Sequence, residues 1–206
     1  MTVLLSHTYF GPVQWYQKLF RYDNILIERH DSFVKQTYRN RCLIATANGQ
    51  QALSVPTSAG SEGASTGAAT LVSDHANWRH VHWNALKSAY GESPFFEYYA
   101  DDLLPFFEKR WQCLYDFDMA TCRTVCQLLD IEPRIQLTDR YISPEEAKER
   151  GIIDLRDAIR PKHPAPDDDF EPKRYYQVYE QRHGFLPNMS ILDLLFNMGN
   201  ESVLWL

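Results

Sequence analysis

The sequence predicts an α/β fold in which an N-terminal βαβ unit and a β-hairpin form a small mixed sheet, packed against a largely helical C-terminal half. Three observations lead to this prediction. Short apolar runs at residues 3–6 and 24–28 flank the segment VQWYQKLF, whose apolar residues recur at helical spacing. Asn48-Gly49 joins two β-compatible runs. From residue 77 to 131 the pattern is again helical.

The strand–helix–strand pattern at the N-terminus predicts two parallel strands, and such strands have a typical position for bound ligands. Parallel strands connected by a helix bind ligands beyond their carboxyl ends. The side chains expected at these ends are His7 and Tyr9 after the first strand, and Glu28, His30 and Asp31 after the second. The sequence therefore indicates this edge of the sheet as the place where a ligand would bind.

The hairpin is predicted from the Asn48-Gly49 dipeptide. We expect strands at Arg41–Thr46 and at residues 51–55, joined by a type I′ turn in which both Asn48 and Gly49 have positive φ. Pro56 ends the second strand. The stretch TSAGSEGASTGAAT then begins a loop, residues 57–72, that is poor in large apolar side chains. Loops of this kind are disordered or act as lids over a site.

The C-terminal half carries several signals for the ends of helices. WRHVHWNALKSAY predicts one helix, Pro105 breaks a second helical stretch, and Asp118 is the expected N-cap of a third helix. Ser143 is the expected N-cap of a short helix that ends at Gly151, and a short strand follows near residues 152–159. We predict a single domain over residues 1–206, with an α/β segment at 1–56 and a mainly helical segment at 73–206.

Composition and charge exclude several classes of protein. The formal net charge of −6 gives no general attraction to nucleic acid. No window approaches the roughly 20 apolar residues that span a bilayer, and the N-terminus has no basic leader, so we expect a cytoplasmic protein. The four cysteines are too unevenly spaced for a disulfide framework. Cys122 and Cys126 have i, i+4 spacing but no histidine partner in sequence, and we predict no metal.

A basic cluster, KQTYRNRC, precedes the first hairpin strand. Lys35, Arg39 and Arg41 place three positive charges within eight residues of an acidic chain. The guanidinium group of arginine is planar and rigid, and its N–H donors match the geometry of phosphate or carboxylate. Arg39 and Arg41 could therefore bind one anion if they share a face of the strand. Alternatively, these side chains pair with nearby carboxylates such as Asp31. The cluster indicates a small anionic ligand if the first interpretation holds.

Two further segments have both a chemical and a structural interpretation. His7 precedes an aromatic, glycine and proline turn that leads into a helix, where free N–H groups favour phosphate. His7 is therefore a candidate acid or base, or else an ordinary hydrogen-bonded residue at a strand end. Near the C-terminus, Ser190 precedes an apolar run with Asp193 three residues later. This is the pattern of a helix cap in which the Asp193 side chain reaches back to the backbone N–H of Ser190. A role of Ser190 as a nucleophile is the alternative.

The order of these motifs resembles the WbqC-like protein family over nearly the whole chain. The segments that carry the resemblance are HTYFGPVQWYQKL, KQTYRNRC, the Asn-Gly turn with LSVP, SAYGESPFFEYYADDLLPFF and GFLPNMSILDLLFNMG. The branch common in Bacteroidetes-type bacteria is the most similar. The chain departs from the family's usual opening because it lacks a Gln-Pro after His7 and has Gly11 before Pro12.

The resemblance implies a role in building surface polysaccharides such as O-antigen. It also implies that Arg39, Asn40 and Arg41, and near the end Asn188, Ser190 and Asp193, correspond to family positions. Our hypothesis is that Lys35, Arg39, Asn40 and Arg41 bind the phosphates of a nucleotide-linked sugar, or of another acyl or phosphoryl donor, beside His7 and Tyr9, in a group transferase. A non-catalytic binding module or an assembly protein in the same pathway are the alternatives. The sequence identifies neither a cofactor nor an oligomeric state.

Overall fold

A four-stranded parallel sheet organises the fold. The structure is a computed structural model, described for residues 1–58 and 69–206. The described strands are β1 Thr2–Ser6, β2 Asn24–Glu28, β3 Arg41–Thr46, β4 Gly49–Ser54, β5 Thr57–Ser58, β6 Leu71–Val72, β7 Ile135–Leu137 and β8 Ile153–Asp154. The strand order is β7-β2-β1-β8, and each neighbouring pair is parallel. The predicted α/β class and the parallel pairing of the first two strands are confirmed.

The helices lie mostly in the second half of the chain. They are α1 Val13–Arg21, α2 Trp78–Tyr90, α3 Phe96–Leu103, α4 Pro105–Glu108, α5 Leu114–Leu128, α6 Pro144–Glu149, α7 Glu180–His183 and α8 Ile191–Met198. A 3₁₀ helix, Gly199–Trp205, follows α8. The predicted helix over Trp78–Tyr90 is confirmed, as is the break at Pro105, which is the first residue of α4. Of the described helices, none is long and apolar enough to cross a membrane.

Side chains of β1 pack on both faces of the sheet. Val3 and Leu5 belong to the main core, together with residues of α1, α5 and α8, whereas Leu4 packs in a smaller cluster with Ile142 and Ala147 beside α6. All three β1 side chains are fully buried. Alternate residues of a strand point to opposite faces, so this division is the expected consequence of a parallel sheet covered on both sides.

Among the described residues, the hairpin forms a separate two-stranded sheet and does not join the parallel strands, in contrast to the small mixed sheet that the sequence predicted. β3 and β4 pair antiparallel, with Thr46 opposite Gly49. Of the Asn48-Gly49 pair only Gly49 has a positive φ, 95°, so the type I′ turn was a wrong prediction. The turn lies one residue earlier, over Ala47 and Asn48, and Gly49 supplies the positive φ at the start of β4. After the hairpin, β5 pairs with β6, and most of the predicted loop, residues 59–68, lies outside the described residues.

Two predictions about the second half need correction. Asp118 is not an N-cap, because α5 begins at Leu114 and Asp118 is buried in its second turn. The strand expected near residues 152–159 is only Ile153–Asp154, and β7 was not predicted. The short helix α6 is confirmed in detail: the Ser143 hydroxyl accepts a hydrogen bond from the Glu146 N–H at 3.1 Å, and Gly151 ends the segment at φ 66°.

Candidate functional site

A cavity of about 660 Å³ lies at the carboxyl ends of β1, β2 and β8. Residues at or just beyond these three strand ends line it: Ser6, His7, His30, Asp31, Asp154 and Arg156. The location agrees with the rule that ligands of parallel α/β sheets bind beyond the carboxyl ends of the strands. The sequence predicted this edge from β1 and β2, and β8 adds a third strand end to it.

His7 is held at the cavity wall by a carboxyl group from α5. Its Nδ1 lies 2.6 Å from Oδ2 of Asp118, and both side chains are fully buried. Burial lowers the pKa of His7 well below its usual value, and the nearby positive charge of Arg39 lowers it further. Burial likewise raises the pKa of Asp118, which Arg39 partly opposes. The His7 ring is therefore uncharged at neutral pH.

This arrangement leaves one ring nitrogen available. Nε2 of His7 is buried and has no hydrogen-bond partner among the described residues. When Asp118 is ionised, the ring carries its proton on Nδ1 and Nε2 accepts; when Asp118 is protonated, Nε2 carries the proton and donates. The pair can thus take up or release a proton through Nε2.

Other buried polar atoms that are close to His7 in the chain or in contact with it also lack partners among the described residues. They are Oγ1 of Thr8, the second carboxyl oxygen of Asp118 and the hydroxyl of Tyr115, whose ring makes an edge contact with His7 at 5.1 Å between centroids. Buried polar atoms without partners are uncommon in folded proteins and call for a specific explanation. A bound ligand or ordered water at this end of β1 would supply one.

Gly11 keeps the turn after β1 close-packed against Thr8. A Cβ at Gly11 would lie 2.4 Å from Oγ1 of Thr8, which is shorter than any ordinary contact. The neighbouring Phe10 has a φ of 41°, a strained value for a bulky residue, and is fully buried. The departure from the family's usual opening therefore coincides with a turn that has no room for a side chain at Gly11.

Arg39 lines the cavity, but it is already paired with protein groups. Its guanidinium forms an ion pair with Asp31, donates to the Ser32 carbonyl at 2.8 Å and donates to the Ser6 hydroxyl at 3.0 Å. Only 6% of the residue is exposed. The carboxylate pairing that the sequence left open as an alternative is thus present, on a side chain that also faces the cavity.

Two more arginines line the cavity, and neither was a candidate from the sequence. Arg156 donates to Asp154 at 2.6 Å and lies 3.5 Å from Glu28, while Arg160 pairs with Asp157. Arg156 follows β8 in the structure, but it lay inside the strand predicted near residues 152–159, so it was not selected as a strand-end residue. Arg160 lies just beyond the end of that predicted strand, and it could have been found by applying the strand-end argument there.

The remaining members of the basic cluster lie elsewhere. Lys35 is exposed, and Arg41 donates from Nε to the Ser54 hydroxyl at 3.0 Å on the hairpin. Neither is among the described residues that line the cavity. Asn40 donates to the Val55 carbonyl at 3.1 Å, and Tyr9 is buried with its hydroxyl 2.9 Å from Nδ1 of His82. The structure therefore brings His7 and Arg39 to one cavity but not Lys35, Arg41 or Tyr9.

The N-terminus of α1 is occupied by the C-terminal segment. The Val13 N–H donates to the Met189 carbonyl at 2.9 Å, and the Gln14 N–H donates to the side-chain oxygen of Asn188 at 3.0 Å. These are the groups that would otherwise be free at a helix N-terminus. They are not available for a phosphate, so this helix N-terminus does not contribute to an anion site in the cavity.

Asn188, Ser190 and Asp193 hold the C-terminal segment in place. Ser190 caps α8 as predicted, accepting from the Leu192 N–H at 3.3 Å, and it donates to the Phe10 carbonyl at 2.8 Å. Asp193 does not reach back to the cap; it accepts from the Tyr90 and Tyr175 hydroxyls and from the Gln177 amide, each at 2.7 Å. None of the three is among the cavity-lining residues in the described chain.

Comparison with known proteins identifies the family. A sequence model of the WbqC-like protein family matches residues 7–163. The chain belongs to this family. Its matched region contains His7, Arg39, Asp118 and Arg156 but not the C-terminal group of Asn188, Ser190 and Asp193. The assignment to a Bacteroidetes-type branch stays a prediction.

One relative of this WbqC-like chain is the uncharacterized protein Rv1507c of Mycobacterium tuberculosis. The two are 28% identical over 220 residues, which cover 94% of the present chain and 89% of the relative. No solved structure matches the chain. Within the described residues, no group of three or more His, Cys, Asp or Glu side chains is placed to hold a metal ion.

Proposed function

We propose that the chain is a group transferase of surface-polysaccharide biosynthesis that acts on an anionic, nucleotide-linked sugar bound in the cavity. The observation that carries the proposal is the His7–Asp118 pair, with Nε2 of His7 unpartnered at the wall of a cavity that three arginines also line. A histidine oriented through one nitrogen by a carboxyl group is a common acid–base arrangement.

In the proposed reaction, the group passes from its phosphate-linked donor to a hydroxyl or amine of an acceptor. The acceptor atom forms a bond to the transferred group as the bond from that group to the nucleoside diphosphate breaks, and the diphosphate leaves with the electron pair. The proton of the acceptor moves to Nε2 of His7, and an ionised Asp118 stabilises the resulting imidazolium. The proton is then released to the departing phosphate or to water.

The arginines would donate hydrogen bonds to the diphosphate, and they differ in how far they are already engaged with aspartates. Arg160 has its side chain 41% exposed and pairs with Asp157 through one terminal nitrogen, which leaves its other donors for a ligand. Guanidinium groups bind phosphate through parallel hydrogen bonds, which are stronger than neutral ones. Arg39 and Arg156 are more fully engaged with Asp31 and Asp154 and would contribute less.

A turnover assay tests the proposal. Wild type and His7→Asn would be incubated with a panel of nucleotide sugars and acyl donors, and consumption of each donor followed by mass spectrometry. We expect donor consumption that falls by at least 10²-fold in His7→Asn, the usual size of an acid–base contribution. The matched control is His75→Ala, at an exposed histidine, which should match wild type. Full activity in His7→Asn would remove His7 from the mechanism.

A non-catalytic binding module is the second candidate function. It is favoured by the complete burial of His7 and by the pairing of all three cavity arginines with carboxylates, which suits a site that holds a ligand without changing it. Binding of a nucleotide sugar by calorimetry, together with no consumption of any donor in the panel, would favour this second function over the first.

A further inference from the structure

The charges that line the cavity cancel one another. Three arginines and three aspartates line it, and each arginine pairs with one of these aspartates: Arg39 with Asp31, Arg156 with Asp154, and Arg160 with Asp157. Buried Glu28 behind Arg156 adds a further negative charge. A site that binds only phosphate groups would present an excess of positive charge. This lining instead presents carboxylate acceptors beside guanidinium donors.

Part of this acceptor capacity is unused. Oδ2 of Asp31 is taken by Arg39, but Oδ1 of Asp31 is buried and has no partner in the described chain. An ionised carboxylate can only accept hydrogen bonds. His7, fully buried on the same cavity, has its Nε2 unpartnered as well. Both atoms are buried, but they belong to residues that line the cavity, and no donor of the described chain reaches Oδ1 of Asp31. A ligand that bonds to this oxygen must therefore bring the donor.

A sugar hydroxyl meets this requirement, whereas a phosphate chain does not. A hydroxyl donates one hydrogen bond and accepts others, so it can lie between a carboxylate and a guanidinium and use both. Deprotonated phosphate oxygens only accept, and beside Oδ1 of Asp31 they would meet another negative charge. The ring of Tyr141, 45% exposed at the cavity mouth and backed by Arg156 at 5.3 Å from its centroid, offers an apolar surface for a sugar ring or base.

We infer that Asp31 is a specificity-determining residue that accepts a hydrogen bond from a hydroxyl or amino group of the sugar, so that the cavity selects sugar-bearing nucleotides over the bare diphosphates. The inference rests on the proposed function, because it assigns the sugar to a particular end of the same cavity. The sugar lies against Asp31 and His7, and the phosphates lie toward the more exposed Arg160.

Paired ligands test this selection by calorimetry. The probes are UDP-glucose, GDP-glucose and dTDP-glucose, each compared with its own nucleoside diphosphate. For at least one pair, wild type should bind the nucleotide sugar about 10- to 100-fold more tightly than the diphosphate, the range for a hydrogen bond to a charged group. Asp31→Asn should lose most of that difference while its affinity for the diphosphate changes less than threefold. The matched control is Asp157→Asn, which should keep the preference for the sugar.

The outcomes separate the inference from the proposed function. Equal affinity of wild type for sugar and diphosphate would overturn the inference and leave the proposed anion site standing. An equal loss of affinity for both ligands in Asp31→Asn would show that Asp31 acts only by holding Arg39, and would also overturn it. If wild type binds none of the probes, both fail. The comparison within wild type needs no variant, so the inference is testable even if Asp31→Asn does not fold.

Discussion

Two buried polar clusters in this molecule differ in how completely their hydrogen bonds are satisfied. Both oxygens of Asp193 accept hydrogen bonds, from two tyrosine hydroxyls and one amide, at 2.7 Å each. Around His7, by contrast, the ring Nε2, the second oxygen of Asp118 and the Thr8 hydroxyl have no partner among the described residues. Both clusters contained candidate site residues from the sequence. Satisfied buried groups stabilise a fold, whereas unsatisfied ones indicate where something else binds.

The same contrast separates two buried histidines. His82 has its Nδ1 2.9 Å from the Tyr9 hydroxyl, and its ring is also hydrogen-bonded to the backbone of Ser54. In the part of the chain that the structure describes, His7 has a partner at Nδ1 only. Burial lowers the pKa of each ring. We conclude that His82 connects α2 to the turn after β1, and that His7 is the ring with a nitrogen left for chemistry.

The largest expected effect is the loss of stability on truncating Asp193. Asp193→Ala leaves the buried donors of Tyr90, Tyr175 and Gln177 without their acceptor, and we expect the free energy of unfolding to fall by about 3–5 kcal/mol. Urea denaturation followed by circular dichroism measures this. Asp168→Ala, at an exposed aspartate, is the control and should stay within about 0.5 kcal/mol of wild type. A loss below about 1 kcal/mol for Asp193→Ala would contradict the assignment of this cluster to stability.

The next effect is a pH dependence of stability that arises from His82. Burial lowers the pKa of His82 from 6.5 to about 4 in the folded chain, so the unfolded chain binds the proton more tightly. The stabilising contribution is complete above about pH 6.5 and is lost as the pH falls toward 4, a change of about 3 kcal/mol.

Unfolding measured between pH 4 and 8 would detect this contribution. His82→Gln, which has no titratable group, should show a shallower fall in the free energy of unfolding than wild type over this range. His7 titrates in both proteins, so the difference between the two curves reports His82. Curves of equal slope would show that His82 keeps its ordinary pKa in the folded chain.

Local signals predicted much of the fold. The cap at Ser143, the break at Pro105 and the hairpin beside Gly49 each depend on a few neighbouring residues, and each lies where the sequence placed it or within a residue or two. β7 was missed because three residues are too short to show an alternating pattern. Its position beside β2 is fixed by pairing with a strand more than 100 residues earlier, which no local pattern records.

The site was only partly predictable for the same reason. His7 was found because it follows β1, but its partner Asp118 lies 111 residues away and resembled a helix cap in sequence. Arg39 and Arg41 could bind one anion only if they shared a face, as alternate residues of one strand do. In the structure β3 begins at Arg41, so Arg39 belongs to the preceding turn and the alternation does not extend to it.

The smallest expected effect therefore distinguishes these two arginines. Arg41 contacts Ser54 on the surface of the hairpin, and Arg41→Ala should change the free energy of unfolding by less than about 0.5 kcal/mol and the affinity for a bound nucleotide sugar by less than twofold. Arg39→Ala removes the partner of Asp31 from the cavity and should weaken the same affinity by at least tenfold. Calorimetry on both variants makes the comparison. If Arg41→Ala weakens binding as much as Arg39→Ala, both arginines contribute to ligand binding. The binding site would then extend beyond the cavity to the hairpin.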